Sequence, residues 1–189
     1  MHGDILVHDV TLAYFWSHAV VNQHLERLDG VAPFLRAPVR ELLRLSEFKL
    51  HRPLMIVFGW RAVAEQELLY QQGRTFNRDT QVWEVSNAAL VVTNARPGRS
   101  AHNVISVAGD PFAMAVDVVP LKIDGTADWN PSEQYLDDLY RAAWNCGLDP
   151  LGDPVGSFLK SDKLHFEEPK WMLKLDGLDA LLPVAHTEV

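Results

Sequence analysis

Several things are scarce in this chain, and each scarcity excludes something. A single cysteine, Cys146, in 189 residues allows no internal disulfide, so the fold does not rely on an oxidising compartment. It stands in Trp144-Asn145-Cys146-Gly147, at the end of a predicted helix beside bulky apolar residues, the setting of a buried structural thiol rather than a nucleophile. Basic residues are the minority, 17 Lys and Arg against 25 Asp and Glu, and a net charge of −8 disfavours a nucleic-acid partner, which asks for a basic face. Long apolar runs are missing too. The stretch from Val10 to Val21 is interrupted by Ser17 and His18, and the opening Met1-His2-Gly3-Asp4 carries no basic run. Neither a signal peptide nor stable membrane insertion is expected, and synthesis in the cytoplasm is. The patterns HExxH and GxSxG are both absent, which removes the helix-borne zinc motif and the nucleophile elbow of α/β-hydrolases.

What remains is an ordinary globular composition, 48% apolar and 22% charged, long enough for one domain over residues 1–189 with a core of its own. Val10 to Leu25 reads as a helix with the aromatic face Tyr14-Phe15-Trp16, an extra element that packs on the core or meets a partner. Val31 to Phe48 predicts a helix with Phe34, Leu35, Val39, Leu42 and Leu43 turned inward. Pro53 to Phe58 has the unbroken apolar pattern of a strand buried on both faces. Ala62 to Gln72 predicts a helix with Leu68 and Leu69 inward and Gly73 as its stop. Residues 76–86 read as a polar loop, Ala88 to Thr93 as a strand, and Asn94 to Arg99 as a turn. Met114 to Pro120 is an apolar strand, and Asn130-Pro131-Ser132-Glu133 starts a helix whose stripe is Tyr135, Leu136, Leu139, Tyr140 and Ala143. Glycine and proline mark a loop from Gly147 to Lys160, Leu164 to Glu167 reads as a short strand, and Trp171 to Leu182 as a closing helix before a frayed tail.

His102, Asp117 and His165 offer two imidazoles and one carboxylate, ligand types that hold a catalytic zinc with its fourth position open. The histidine count, eight, does not by itself single them out. Their setting does. The run Val92-Thr93-Asn94-Ala95-Arg96-Pro97-Gly98-Arg99-Ser100-Ala101-His102-Asn103, followed by Ala115-Val116-Asp117, resembles the SxHxxGxAxD signature of the zinc D-alanyl-D-alanine carboxypeptidases and L-alanyl-D-glutamate endopeptidases, peptidoglycan peptidases of bacteria and phages. Asp162-Lys163-Leu164-His165 is similar to their second motif, an acidic residue three before the last zinc ligand. Gly59-Trp60-Arg61, Gln66, Leu69-Tyr70 and Gly73-Arg74-Thr75 resemble their G-Y-R-S…Q…L-Y…G-R-T segment, so the likeness runs from Leu28 to Phe166.

The resemblance implies an α+β fold, a small and mainly antiparallel central sheet flanked by helices, as in D,D-peptidases and hedgehog domains. It implies one Zn2+ on His102, Asp117 and His165, and Asp162 as general base. Arg61 would bind substrate or steady the oxyanion. Gln66 and Ser100 match on the substrate side, although a helix-surface glutamine and a loop serine need no function. The implied partner is a peptidoglycan stem peptide, met by a monomer delivered through a lysis pore or in a virion. The Val-Thr-Asn-Ala-Arg-Pro-Gly run is most like the endopeptidase branch, and the carboxypeptidase activity comes second. A non-catalytic zinc module resembling the hedgehog signalling domain, or a metal-free virion component, are the readings from other classes.

The chain departs from the signature in one place. Six residues separate histidine from aspartate in the pattern, whereas fourteen (103–116) do so here, eight more by subtraction. The extra residues fall around Val104 to Pro111. Either they bulge beside the metal and shape the substrate groove, or Asp110 is the ligand. Asp117 is the preferred choice, because a carboxylate inside an apolar strand is costly unless a cation or donor satisfies it.

Overall fold

The structure, a computed structural model, describes residues 26–105, 111–150, 162–169 and 171. The predicted helix at Val10 to Leu25, most of the loop from Gly147 to Lys160, the alternative ligand Asp110 and all but the first residue of the closing helix lie outside them.

Four strands form the central sheet: β1 (Leu54–Phe58), β6 (Ala115–Pro120), β7 (Asp149–Pro150) and β8 (His165–Glu167), in the order β1-β6-β8-β7, every neighbouring pair antiparallel. Helices α1 (Pro33–Phe48), α2 (Val63–Gln71) and α3 (Glu133–Asn145) accompany it. Two small ribbons complete the described fold, β2 (Arg74–Asn77) with β3 (Val82–Val85), and β4 (Val104–Ile105) with β5 (Pro111–Phe112). This is the α+β arrangement expected from the sequence. Helices α1 and α3 touch each other, with α1 against β1 and α3 against β7. Leu35, Val39 and Leu42 of α1 meet Leu136 and Leu139 of α3 and Phe166 of β8 in one buried cluster, and each such side chain contributes about 1.5–3 kcal/mol by leaving water.

The stripe Tyr135, Leu136, Leu139, Tyr140 and Ala143 is buried as the helical spacing predicts, with Ser132 as the N-cap, its hydroxyl accepting from Tyr135 N. Gly73 ends α2 at φ +72°, a left-handed position that glycine takes without strain.

Other elements differ from expectation. In α1 the inward stripe is Leu35, Val39, Leu42 and Ser46; Phe34, one residue and 100° off that line, is 53% exposed. In α2 the inward residues are Gln66 and Tyr70, while Leu68 is 65% exposed. β1 is an edge strand with Leu54 and Ile56 buried and Met55 and Val57 only half-buried, so it is not covered on both faces. Residues 76–86 are no loop: Val82-Trp83-Glu84-Val85 pairs with Arg74–Asn77 around a turn in which Asn77 Oδ1 accepts from Asp79 N and Thr80 N. The strand expected at Ala88 to Thr93 is a 3-10 turn, Ala88–Leu90, capped by Asn87. Its apolar residues lie on the surface, and among the described residues no strand pairs with them.

Candidate metal centre

The sheet register builds the site. Asp117 on the central strand β6 lies directly across from His165 on β8, so the two side chains leave the same face. On its other side Asp117 faces Phe58 of β1, next to an irregularity between Ile56 and Phe58 that sets two residues of β1 against one of β6. The bulged end carries the chain into Gly59, Trp60 and Arg61 at the site's edge.

His102 comes from the turn 100–103. Ser100 Oγ accepts from His102 N at 3.2 Å, Ser100 N donates to Asn103 Oδ1 at 3.2 Å, and Asn103 N donates to Ser100 O at 3.0 Å. Two backbone bonds dock this turn: Arg61 N donates to His102 O, and Met114 N to Ala101 O, each at 2.7 Å. The eight extra residues therefore do not separate His102 from Asp117. β4 and β5 pair at the two ends of the inserted segment and return the chain to Ala113 and Met114 beside Ala101.

His102 Nε2, Asp117 Oδ1 and His165 Nδ1 converge, with separations of 3.2 Å (His102 to Asp117), 3.1 Å (His102 to His165) and 2.9 Å (His165 to Asp117). Ligand atoms about 2.0–2.2 Å from a tetrahedral zinc stand about 3.3–3.6 Å apart, a few tenths of an ångström wider than this triangle. These three are the group among the described residues that could hold a metal ion. The imidazoles are buried, and Asp117 keeps 23% of its side chain accessible.

The outer nitrogens of both rings are occupied in the way that metal-binding histidines require. His102 Nδ1 lies 2.7 Å from the carbonyl of Gly59, which makes it the protonated nitrogen and leaves Nε2 as a lone pair. A Cβ on Gly59 would stand 2.5 Å from the carbonyl oxygen of Arg27, so only glycine brings this backbone so close. His165 Nε2 lies 3.2 Å from Glu167 Oε2. Glu167 was not singled out by sequence reasoning, although residues i and i+2 of a strand share a face.

Electrostatics describe the metal-free state. Burial opposes a charge on His165, but Asp117 and Glu167, one on each ring nitrogen, overcome it and push its pKa up to about 10. Burial likewise opposes the Asp117 carboxylate, and the two imidazoles outweigh it and hold it well below the usual carboxylate range. The site thus favours positive charge between Asp117 and the imidazoles.

The remaining predicted residues surround this triangle. Asp162 Oδ2 is 4.0 Å from His165 Nδ1 across a turn closed by His165 N donating to Asp162 O at 3.3 Å. Its side chain is 55% exposed, and loss of water around it raises its pKa despite the neighbouring imidazole. Arg61 is buried with its NH2 3.6 Å from Asp117 Oδ2, its guanidinium over the ring of Phe58, and its NH1 donating to Gln66 Oε1 at 2.9 Å. Gln66 is not on the helix surface. It is fully buried, accepts from Arg61 and donates from Nε2 to Ala95 O at 2.8 Å. Ser100, also buried, serves the His102 turn through its hydroxyl.

No family model and no curated protein matches the chain. Among solved structures it is similar to the Serratia marcescens L-Ala D-Glu endopeptidase ChiX, at 23% identity and TM-score 0.47 over 77% of this chain and 86% of that one. It is also similar to a mutant of the vancomycin-resistance D,D-pentapeptidase VanY in complex with Zn(II), at 14% identity and TM-score 0.48 over 79% and 80%. A third is an L,D-carboxypeptidase DacB from Streptococcus pneumonia, at 21% identity and TM-score 0.45 over 79% and 73%.

Proposed function

We propose that the chain is a zinc-dependent peptidase that hydrolyses a peptide bond of the peptidoglycan stem, as an L-alanyl-D-glutamate endopeptidase. The observation that carries the metal is the convergence of His102 Nε2, His165 Nδ1 and Asp117 Oδ1 with both outer ring nitrogens already engaged. Two imidazoles and one carboxylate form a three-ligand set of catalytic zinc chemistry. The substrate class rests on the motif resemblance of the Ser100, Asp162 and Gly59 segments.

His102, Asp117 and His165 would hold a zinc ion, which would supply Lewis-acid chemistry for hydrolysis at neutral pH. Asp162, exposed at its tip beside His165, takes the proton of the attacking water and hands it to the departing amine. Its raised pKa suits both halves of that task. Arg61, permanently charged and pinned by Gln66, brings positive potential to the carbonyl oxygen as it becomes negative. Gly59 and Glu167 hold the two imidazoles in the tautomer that binds metal.

Mass spectrometry of purified peptidoglycan digested with zinc-loaded protein tests the reading. Stem peptides beginning at D-glutamate should be released with L-alanine left on the glycan, chelation should stop the release, and Asp162→Ala should keep zinc while losing turnover. Release of terminal D-alanine would assign the carboxypeptidase activity instead, and intact muropeptides with zinc bound would leave a non-catalytic zinc module.

A further inference from the structure

The turn that carries Asp162 and His165 is held at three successive carbonyls by three different groups. Asp162 O accepts from His165 N at 3.3 Å, Lys163 O from the hydroxyl of Tyr140 at 3.0 Å, and Leu164 O from Val118 N at 3.0 Å. The first bond is the turn's own and the third belongs to the sheet. The second crosses from α3 and is made by a side chain. Tyr140 is buried, its ring tilted against Phe166 with centroids 6.2 Å apart. On the same inward stripe Leu136, Leu139 and Ala143 are apolar, and the other hydroxyl, that of Tyr135, lies 2.9 Å from Ser46 Oγ, so the two tyrosine hydroxyls of this face reach different elements. Lys163 also pairs with Glu133 at 2.8 Å, but both side chains are exposed and such a pair holds little.

From this arrangement we infer that Tyr140 is a positioning residue for Asp162. Its hydroxyl fixes the Lys163–Leu164 peptide, one residue beyond Asp162, and through that short link restricts where the carboxylate stands relative to His165. His165 is held independently, by β6 through Leu164 O and by Glu167 at Nε2. The fold thus secures the proton acceptor and the metal ligand by separate bonds, although they share one turn. The inference rests on the reading of Asp162 as the proton acceptor.

Tyr140→Phe in the full, zinc-loaded chain separates the two. Turnover of muropeptides should fall by on the order of tenfold to a hundredfold, the effect of a misplaced catalytic group, with KM and zinc affinity unchanged. In an Asp162→Asn background the same substitution should leave the residual rate where it is. Wild-type turnover in Tyr140→Phe, or an equal loss in both backgrounds, would overturn the inference in favour of plain packing. A wild-type protein that leaves muropeptides intact would sink the proposed function instead. Amide hydrogen exchange then decides the positioning: His165 N should exchange faster in Tyr140→Phe while Val118 N does not, and unchanged exchange at His165 N would refute it.

Discussion

Glu167→Gln is the substitution that most sharply separates a metal-binding histidine from a merely buried one. The carboxylate of Glu167 accepts from His165 Nε2 at 3.2 Å, with the two side chains only 15% and 7% exposed, so water does little to replace the bond. A charge-assisted hydrogen bond in such a place is worth about 1.5–3 kcal/mol. Partners of this kind typically govern metal affinity by about ten- to a hundredfold, which is about 1.4–2.7 kcal/mol and agrees with that figure. The amide keeps the shape of the side chain but loses the charge that keeps the Nε2 proton in place and Nδ1 free for the ion. Competition titration against a chromophoric zinc chelator, with circular dichroism to confirm the fold, should show the dissociation constant rising by that factor. A folded Glu167→Gln protein with wild-type zinc affinity would refute the claim that Glu167 orients His165.

Metal binding should release about one proton per ion, because the His165 nitrogen that would hold the metal carries a proton in the metal-free protein. With its pKa raised to about 10, zinc affinity should climb by about tenfold per pH unit between pH 6 and 8, and calorimetry in buffers of different ionisation enthalpy reads the proton directly. Gln66→Leu strands the NH1 of buried Arg61 and should cost about 1–3 kcal/mol in denaturant unfolding. Leu68→Gln, on the exposed side of the same helix, should stay within about 0.5 kcal/mol.

Sequence reasoning reached furthest where one physical rule dominates. The α3 stripe is a single helical face with no competing partner, and every residue of it is buried as its spacing requires. Met114 to Pro120 reads as a strand because its apolar run is short and ends at proline, and it is the central strand β6. The site triangle was legible only through motifs, since no local pattern shows that residues 102, 117 and 165 share a face; the register of β6 with β8 does that. The same reasoning failed where tertiary contacts override local preference. Gln66 turns inward past Leu68 because Arg61 and the Ala95 carbonyl need an acceptor and a donor there, respectively. The β2–β3 ribbon escaped notice because polar turn residues between Arg74 and Val85 outweighed the alternation of Val82-Trp83-Glu84-Val85. Glu167 escaped although its segment reads as a strand, because sharing a face at i and i+2 does not by itself pair a carboxylate with an imidazole; the 3.2 Å contact does.

Zinc K-edge absorption spectroscopy of the zinc-loaded chain tests the central claim most directly. Two imidazole nitrogens and light oxygen scatterers at about 2.0–2.2 Å would match the triangle of His102, His165 and Asp117. A sulfur scatterer at about 2.3 Å, or a shell without imidazole, would place the ion elsewhere and contradict it.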